Sequence, residues 1–190
     1  MTGIAIIDNY DSFTFNLVHL IREISGEPVM VMKNDEVNYE ALSQLSHIVL
    51  SPGPGLPAES GQLMEVIARY CPSKRILGVC LGLQAIAEHF GYSLYKLSRV
   101  YHGIRSKIEI TNADDPIFKG IEIHPYVGRY HSWVVNPSAI NDSLTISAMD
   151  ADGHIMAMSH KEFPVHGVQF HPESIMTDKG YQMMSNFLNL

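Results

Sequence analysis

The chain has little cysteine, little positive charge and no long apolar run, and each shortage excludes something. Two cysteines in 190 residues, Cys71 and Cys80, cannot build a disulfide framework. The fold must rest on its core, and the expected compartment is a reducing, cytoplasmic one. Thirteen Lys and Arg stand against 20 Asp and Glu, a formal net charge of −7 with no basic cluster. A chain of that sign is repelled by phosphate backbones and anionic lipid, so neither nucleic acid nor a membrane is an expected partner. No apolar run approaches the roughly 20 residues that span a bilayer. The opening MTGIAIIDNY has no basic n-region or small-residue cleavage site, so no signal peptide is expected. Zinc spacing, His-Glu-x-x-His and Gly-Lys-Ser/Thr are all lacking, which disfavours a metal centre and a nucleotide phosphate loop. What remains is ordinary globular composition, 46% hydrophobic and 17% charged. That length supports one domain, taken as residues 1–190, with a sizeable core.

Short apolar runs alternate with helical patterns in the first half. Ile4–Ile7, Val29–Met32, His47–Leu50 and Ile76–Val79 read as buried strands. Phe13, Leu17, Leu20, Ile21 and Ile24 repeat at helical spacing after a cap at Asp11 or Ser12, and Gly26 stops that helix. Glu59–Tyr70 and Leu81–Phe90 read as two more helices, the second closed by Gly91. Continuous rather than alternating strands imply helices on both sheet faces. The expected fold class is α/β, a doubly wound, mainly parallel open sheet with right-handed crossovers. The second half reads as mostly antiparallel strands: Leu94–Leu97, Lys107–Ile110, Leu144–Ala148, His154–Met158 and Val165–Phe170. A last helix starts at Thr177 or Asp178, with Tyr181, Met184, Phe187 and Leu188 inward.

The sharpest chemical signal is Gly78-Val79-Cys80-Leu81-Gly82, between a predicted strand and a predicted helix. This is the Gly-x-nucleophile-x-Gly pattern of a nucleophile elbow, with Cys as the nucleophile. Such a turn strains the central residue and needs small neighbours two positions away. It places the thiol at a helix N-terminus, where dipole and free N–H groups favour negative charge. The N–H of Leu81 is then placed to hold an oxyanion. Of ten histidines, His171 stands out in Gly167-Val168-Gln169-Phe170-His171-Pro172-Glu173, because it ends a strand where parallel sheets present functional groups. In an extended segment Glu173 lies on the same side as His171 and can orient it. Cys80, His171 and Glu173 make a candidate triad. Ser51-Pro52-Gly53-Pro54-Gly55 is a stiff loop at the same sheet edge, able to offer backbone N–H groups to an oxyanion or a small polar substrate. Against these stand plainer readings: a packed structural thiol, a strand-end His with an unrelated Glu, and a rigid turn.

Taken together, the elbow, the Pro52-Gly53-Pro54-Gly55 loop and the His171-Pro172-Glu173 end resemble, also in their order along the chain, the class I, triad-type glutamine amidotransferases. Asp8-Asn9-Tyr10-Asp11-Ser12-Phe13-Thr14, Gly128-Arg129-Tyr130-His131-Ser132 and Gly167–Ser174 look most like the amidotransferase components of anthranilate synthase and, close to them, of aminodeoxychorismate synthase. The resemblance spans residues 3–188. It implies a flavodoxin-like fold and L-glutamine as substrate, with Cys80 attacking the side-chain amide. His171 acts as acid and base, and Glu173 orients it. Leu81 and the Gly53, Pro54 and Gly55 loop hold the oxyanion. Gln84 and the backbone at Ser132 and Trp133 hold the α-groups of glutamine. Gln84, four residues beyond Cys80, independently falls on the same helix face. The resemblance further implies that ammonia passes to a separate chorismate-binding partner, anthranilate synthase component I, which makes anthranilate for tryptophan biosynthesis. It implies no cofactor in this chain, with Mg²⁺ in the partner. Two positions depart from many relatives: Leu83 stands where they have His, and Trp133 where they have Leu. Other classes compatible with the same residues are a free-standing cysteine hydrolase and a non-catalytic regulatory module.

Overall fold

In the computed structural model, residues 3–138 and 142–190 are described. Four short strands, β1 (Ile4–Asp8), β2 (Val29–Lys33), β3 (His47–Leu50) and β4 (Arg75–Val79), alternate with helices α1 (Thr14–Ser25), α2 (Tyr39–Ser43) and α3 (Leu63–Tyr70). Helix α4 (Leu81–His89) follows β4 directly. Then come β5 (Leu94–Lys96), β6 (Ile104–Ile110), β7 (Tyr126–Arg129), β8 (Trp133–Val135), β9 (Leu144–Asp150), β10 (Ile155–His160), β11 (Val165–Val168) and helix α5 (Gly180–Leu188).

One nine-stranded sheet runs in the order β2-β1-β3-β4-β11-β10-β9-β6-β7, and β5 pairs with β8 in a separate ribbon. β2, β1, β3, β4 and β11 are parallel; the remaining pairs of the large sheet are antiparallel. The parallel half therefore has the 2-1-3-4-5 strand order of flavodoxin-like sheets, whose ligands lie beyond the carboxyl ends of the strands. Every residue of β1, β3 and β11 is buried, as expected for strands covered on both faces. One apolar cluster joins α1 and α5 to the sheet through Leu17, Ile21, Leu77, Met184 and Phe187. A second, through Leu50, Val66, Ile67, Ile76 and Ile86, joins α3 and α4 to the opposite face.

Several expectations move. The helix expected from Glu59 begins at Leu63: Pro57–Glu59 forms a 3-10 turn, and Gly61 follows at φ 53°, which breaks the run. β7 and β8, too short for a periodic signal, are additional. β11 ends at Val168, so Gln169, Phe170 and His171 lie beyond the strand. Tyr181 faces solvent while Met183 joins Met184 and Phe187 inside, a rotation of α5 by one residue. That helix starts at Gly180 because Thr177 is occupied elsewhere: its hydroxyl donates to His171 O at 2.6 Å and accepts from Gly128 N at 3.0 Å. Among the described residues no helix is long and apolar enough to cross a membrane.

The β4–α4 junction is the tightest point. A Cβ on Gly82 would stand 2.5 Å from Leu50 O, and one on Gly78 would stand 2.4 Å from the carbonyl carbon of Gly82. Both obstacles are backbone, so neither can move cheaply. Gly82→Ala is expected to lower the unfolding free energy by about 1–3 kcal/mol, the usual range for overpacking. Urea denaturation checks this, and an unchanged midpoint would refute the packing account.

Candidate active site

The carboxyl ends of β1, β3, β4 and β11 bring the predicted residues to one edge. Cys80 occupies the turn between β4 and α4 at φ 53°, ψ −100°, a strained backbone for a residue with a side chain. Its N–H is tied to Val168 O at 2.8 Å, which ties the elbow to β11. Cys80 is 6% exposed. Leu81 opens α4, so its N–H has no acceptor within the helix. A Cβ on Gly53 would lie 2.7 Å from Leu81 Cδ2 and 2.6 Å from Asn9 Cβ, so only glycine lets the Gly53–Gly55 loop approach the elbow this closely. Asn9 clamps the base of that loop: its N–H donates to Ser51 Oγ and its Nδ2 to Ser51 O, both at 2.8 Å. Asn34 Nδ2 donates to Asn9 Oδ1 at 3.1 Å and holds the clamp.

His171 and Glu173 meet at 2.7 Å between Nδ1 and Oε1, with side chains 2% and 0% exposed. The reason differs from the extended geometry expected from sequence. His171–Ser174 is a turn, closed by Ser174 N–H to His171 O at 3.2 Å, and the turn rather than strand alternation brings the carboxylate round. The His171 backbone is fixed further by its N–H to Gly128 O at 3.0 Å. Phe13 and Tyr130 stand edge-on to the ring, 5.5 and 4.9 Å between centroids. Nε2 of His171 is buried without a hydrogen-bond partner among the described residues, and the Cys80 thiol is the group close enough to act on it. Burial alone pushes the imidazole down. The thiol and the Glu173 carboxylate outweigh burial and raise the pKa to about 10, so the ring is an imidazolium at neutral pH.

Gln84 is buried on the first turn of α4, and its Nε2 donates to Trp133 O at 3.0 Å. Trp133 thus meets Gln84 through its backbone carbonyl, a contact that does not depend on which side chain stands there. Ser132 lies beside it, its carbonyl accepting from Leu97 N–H at 2.8 Å. Leu83 is fully buried in the core over Gly167, where a Cβ would come within 2.5 Å of Leu83 Cδ1. It is therefore core packing and faces away from the thiol. Gln169 is a site residue that the sequence reading does not single out. It is fully buried, donates from Nε2 to Cys80 Sγ at 3.5 Å and accepts from Gln84 Nε2 at 3.2 Å. Its one signal is its place two residues before His171 in the same motif. Cys71, the other thiol, is buried near His89 at 3.8 Å, and burial raises its pKa.

A cavity of about 670 Å³ opens at the opposite sheet edge, by Arg75, Asp115 and His166, and contains none of these residues. A buried thiol beside an imidazolium, with unpaired helix N–H groups and a glycine loop opposite, suits acyl transfer through a covalent thioester.

Comparison with known proteins agrees with this chemistry. The chain belongs to the class I glutamine amidotransferases, whose family model matches residues 5–190, and it is a glutamine amidotransferase. It is 42% identical over 187 residues to the aminodeoxychorismate/anthranilate synthase component 2 of Bacillus subtilis, covering 97% of this chain and 95% of that one. It is 43% identical over 190 residues to anthranilate synthase component 2 of Pseudomonas aeruginosa, covering 96% and 93%. It is also 41% identical to part of the bifunctional protein TrpGD of Thermotoga maritima, covering 98% of this chain but 32% of that one. Among solved structures it is similar to a GMP synthase protein of Thermoplasma acidophilum, with a TM-score of 0.88, 28% identity, and coverage of 100% and 93%.

The raised pKa of His171 has a signed consequence. A group raised on folding stabilises fully below its unfolded value near 6.5, and that contribution is lost as pH rises through about 10. Glu173→Gln removes one of the two groups that raise it. The His171 ring resonances, followed by NMR against pH, should titrate at lower pH in this variant than in the wild type. An unchanged titration would show that the carboxylate does not govern the ring.

Proposed function

We propose that this chain is the glutamine-hydrolysing subunit of an anthranilate synthase, with Cys80, His171 and Glu173 as its catalytic groups. The observation that carries the reading is the buried His171 ring, held by Glu173 at 2.7 Å on Nδ1 with its Nε2 left for the elbow thiol. The Cys80 thiolate adds to the side-chain amide carbon of L-glutamine. The resulting oxyanion is held by the Leu81 N–H and the Gly53–Gly55 loop, with Pro54 stiffening that loop. As the C–N bond breaks, His171 gives its proton to the departing nitrogen, which leaves as ammonia, and a γ-glutamyl thioester remains on Cys80. The now neutral His171 takes a proton from water. The hydroxide adds to the thioester and the C–S bond breaks, releasing glutamate and restoring the thiolate–imidazolium pair. Glu173 keeps the imidazolium oriented and charge-balanced in both halves. Gln84 and the backbone at Ser132 and Trp133 receive the α-amino and α-carboxylate groups.

The names of the relatives support a two-component synthase. By that reading, ammonia goes to a chorismate-binding partner, component I, which carries the Mg²⁺ and makes anthranilate, while this chain needs no cofactor. The Gly128–Trp133 segment favours the anthranilate reading. The double name of the Bacillus subtilis relative supports a second, that one chain serves the aminodeoxychorismate reaction as well. The test is a tagged chain purified gently with the synthase that accompanies it, supplied with chorismate, Mg²⁺ and either glutamine or ammonium. Cys80→Ser should abolish glutamine-dependent product and leave ammonium-dependent product unchanged. Equal loss of both rates would make Cys80 structural. The product mass separates anthranilate from aminodeoxychorismate, and glutamine hydrolysis with no partner would replace the reading with a free-standing hydrolase.

A further inference from the structure

A chain of hydrogen bonds runs from β7 to the thiol, and its direction is fixed by a member that cannot be turned round. Trp133 O is a backbone carbonyl and can only accept. It receives two contacts, His131 Nδ1 at 3.1 Å and Gln84 Nε2 at 3.0 Å. The His131 nitrogen facing it must carry the proton, so Nε2 of that ring is the acceptor, and Arg129 Nε donates to it at 3.1 Å. Arg129 is held in turn by Asp150 at 2.7 Å and lies 3.6 Å over the Tyr101 ring. Burial, with Arg129 close by, pushes the His131 pKa to about 3, which keeps that ring neutral and its tautomer single.

The same logic passes along the side chains. The Gln84 atom beside Trp133 O must be the amide nitrogen, because two oxygens there would repel. That nitrogen also lies 3.2 Å from Gln169, so the Gln169 atom facing it must be the oxygen. The amide nitrogen of Gln169 is then left for Cys80 Sγ, at 3.5 Å. Side-chain amides are normally ambiguous by 180°; here one carbonyl orients both. Two consequences follow. Gln84 spends both N–H groups inside the network, which leaves its Oε1 as an acceptor. Gln169 gives its N–H to the sulfur and, unlike His171, has no proton to exchange in the reaction.

We propose that Gln169 is a positioning residue with two separable tasks: its Nε2 donates to the Cys80 thiolate, and its Oε1 locks Gln84 so that the free Gln84 oxygen receives a substrate ammonium. The first task acts on the rate of attack and the second on recognition. The inference deepens the glutamine reading and rests on it for the identity of the ammonium. A hydrogen bond to a charged group contributes about 1.5–3 kcal/mol, so each task is worth about tenfold or more.

The test is alkylation of Cys80, followed by intact mass, on the chain purified with any protein that accompanies it. Iodoacetamide reports only the reactivity of the sulfur. A chloroketone analogue of glutamine, retaining both α-groups, reports reactivity and recognition together, as a maximal rate and a half-saturating concentration. Gln169→Glu keeps an acceptor for Gln84 but presents no N–H to the thiolate. It should leave the half-saturating concentration within about threefold and lower the maximal rate by about tenfold or more. Gln169→Met, similar in length and without either group, should raise the half-saturating concentration by about tenfold or more as well. Both should slow iodoacetamide. The proposal is overturned if the two variants change both constants alike, or if Gln169→Met stays within about twofold of wild type on every measure. If iodoacetamide modifies wild-type Cys80 and the chloroketone does not, the glutamine reading fails by itself. The iodoacetamide rates of the variants then decide the thiol task alone.

Discussion

The backbone of Cys80 is the constraint on which the site depends. At φ 53° and ψ −100° it lies outside the wells that a side-chain-bearing residue prefers, at a cost of about 1–3 kcal/mol. Three features hold it there. Gly78 removes a Cβ that would collide with Gly82 across the turn, Gly82 removes one that would collide with Leu50 of β3, and the Cys80 N–H bonds to Val168 O of β11. The strain turns the thiol away from the sheet and toward the start of α4, where backbone N–H groups are unpaired. Because the elbow is bonded to β11, the same strand that fixes the nucleophile also delivers Gln169 and His171 to it.

Charge is the second organising element. Burying an imidazolium without partners would be prohibitive. His171 stays charged because Glu173 and the thiol flank its two nitrogens and outweigh the burial to which Phe13 and Tyr130 contribute. Neighbouring His131 takes the opposite state. Burial, with the cationic Arg129 beside it, keeps it neutral, and it serves as a fixed donor. Two histidines within one site thus hold different charges, each set by what lies next to it.

Much of this is legible in the sequence. The parallel half can be read because buried strands and amphipathic helices alternate at ordinary lengths, and the elbow because its two glycines sit at the required spacing. β7 and β8 escape such a reading, since runs of three or four residues carry no period. Strand alternation matches Glu173 to His171, whereas a turn makes the contact, so the pair is legible and its cause is not. Gln169 and His131 are invisible as functional groups. Nothing local distinguishes a buried glutamine that orients a neighbour from one that fills space; Gln169 meets Gln84 from 85 positions away, and His131 shares with Gln84 the carbonyl of Trp133, 49 positions from Gln84, contacts that only the folded sheet edge creates. Thr177 misleads for the same reason: a helix-cap residue by pattern, it is spent on the His171 carbonyl.

The central claim is that the sulfur of Cys80 carries the glutamyl group during turnover. It is tested most directly by acid-quenching the protein while it hydrolyses isotopically labelled glutamine and locating the label by peptide mass. A labelled γ-glutamyl adduct on the peptide containing Cys80, absent from the one containing Cys71, is the predicted result. Release of labelled glutamate at the normal rate with no adduct on either cysteine would contradict the account, and hydrolysis would then proceed by direct attack of water.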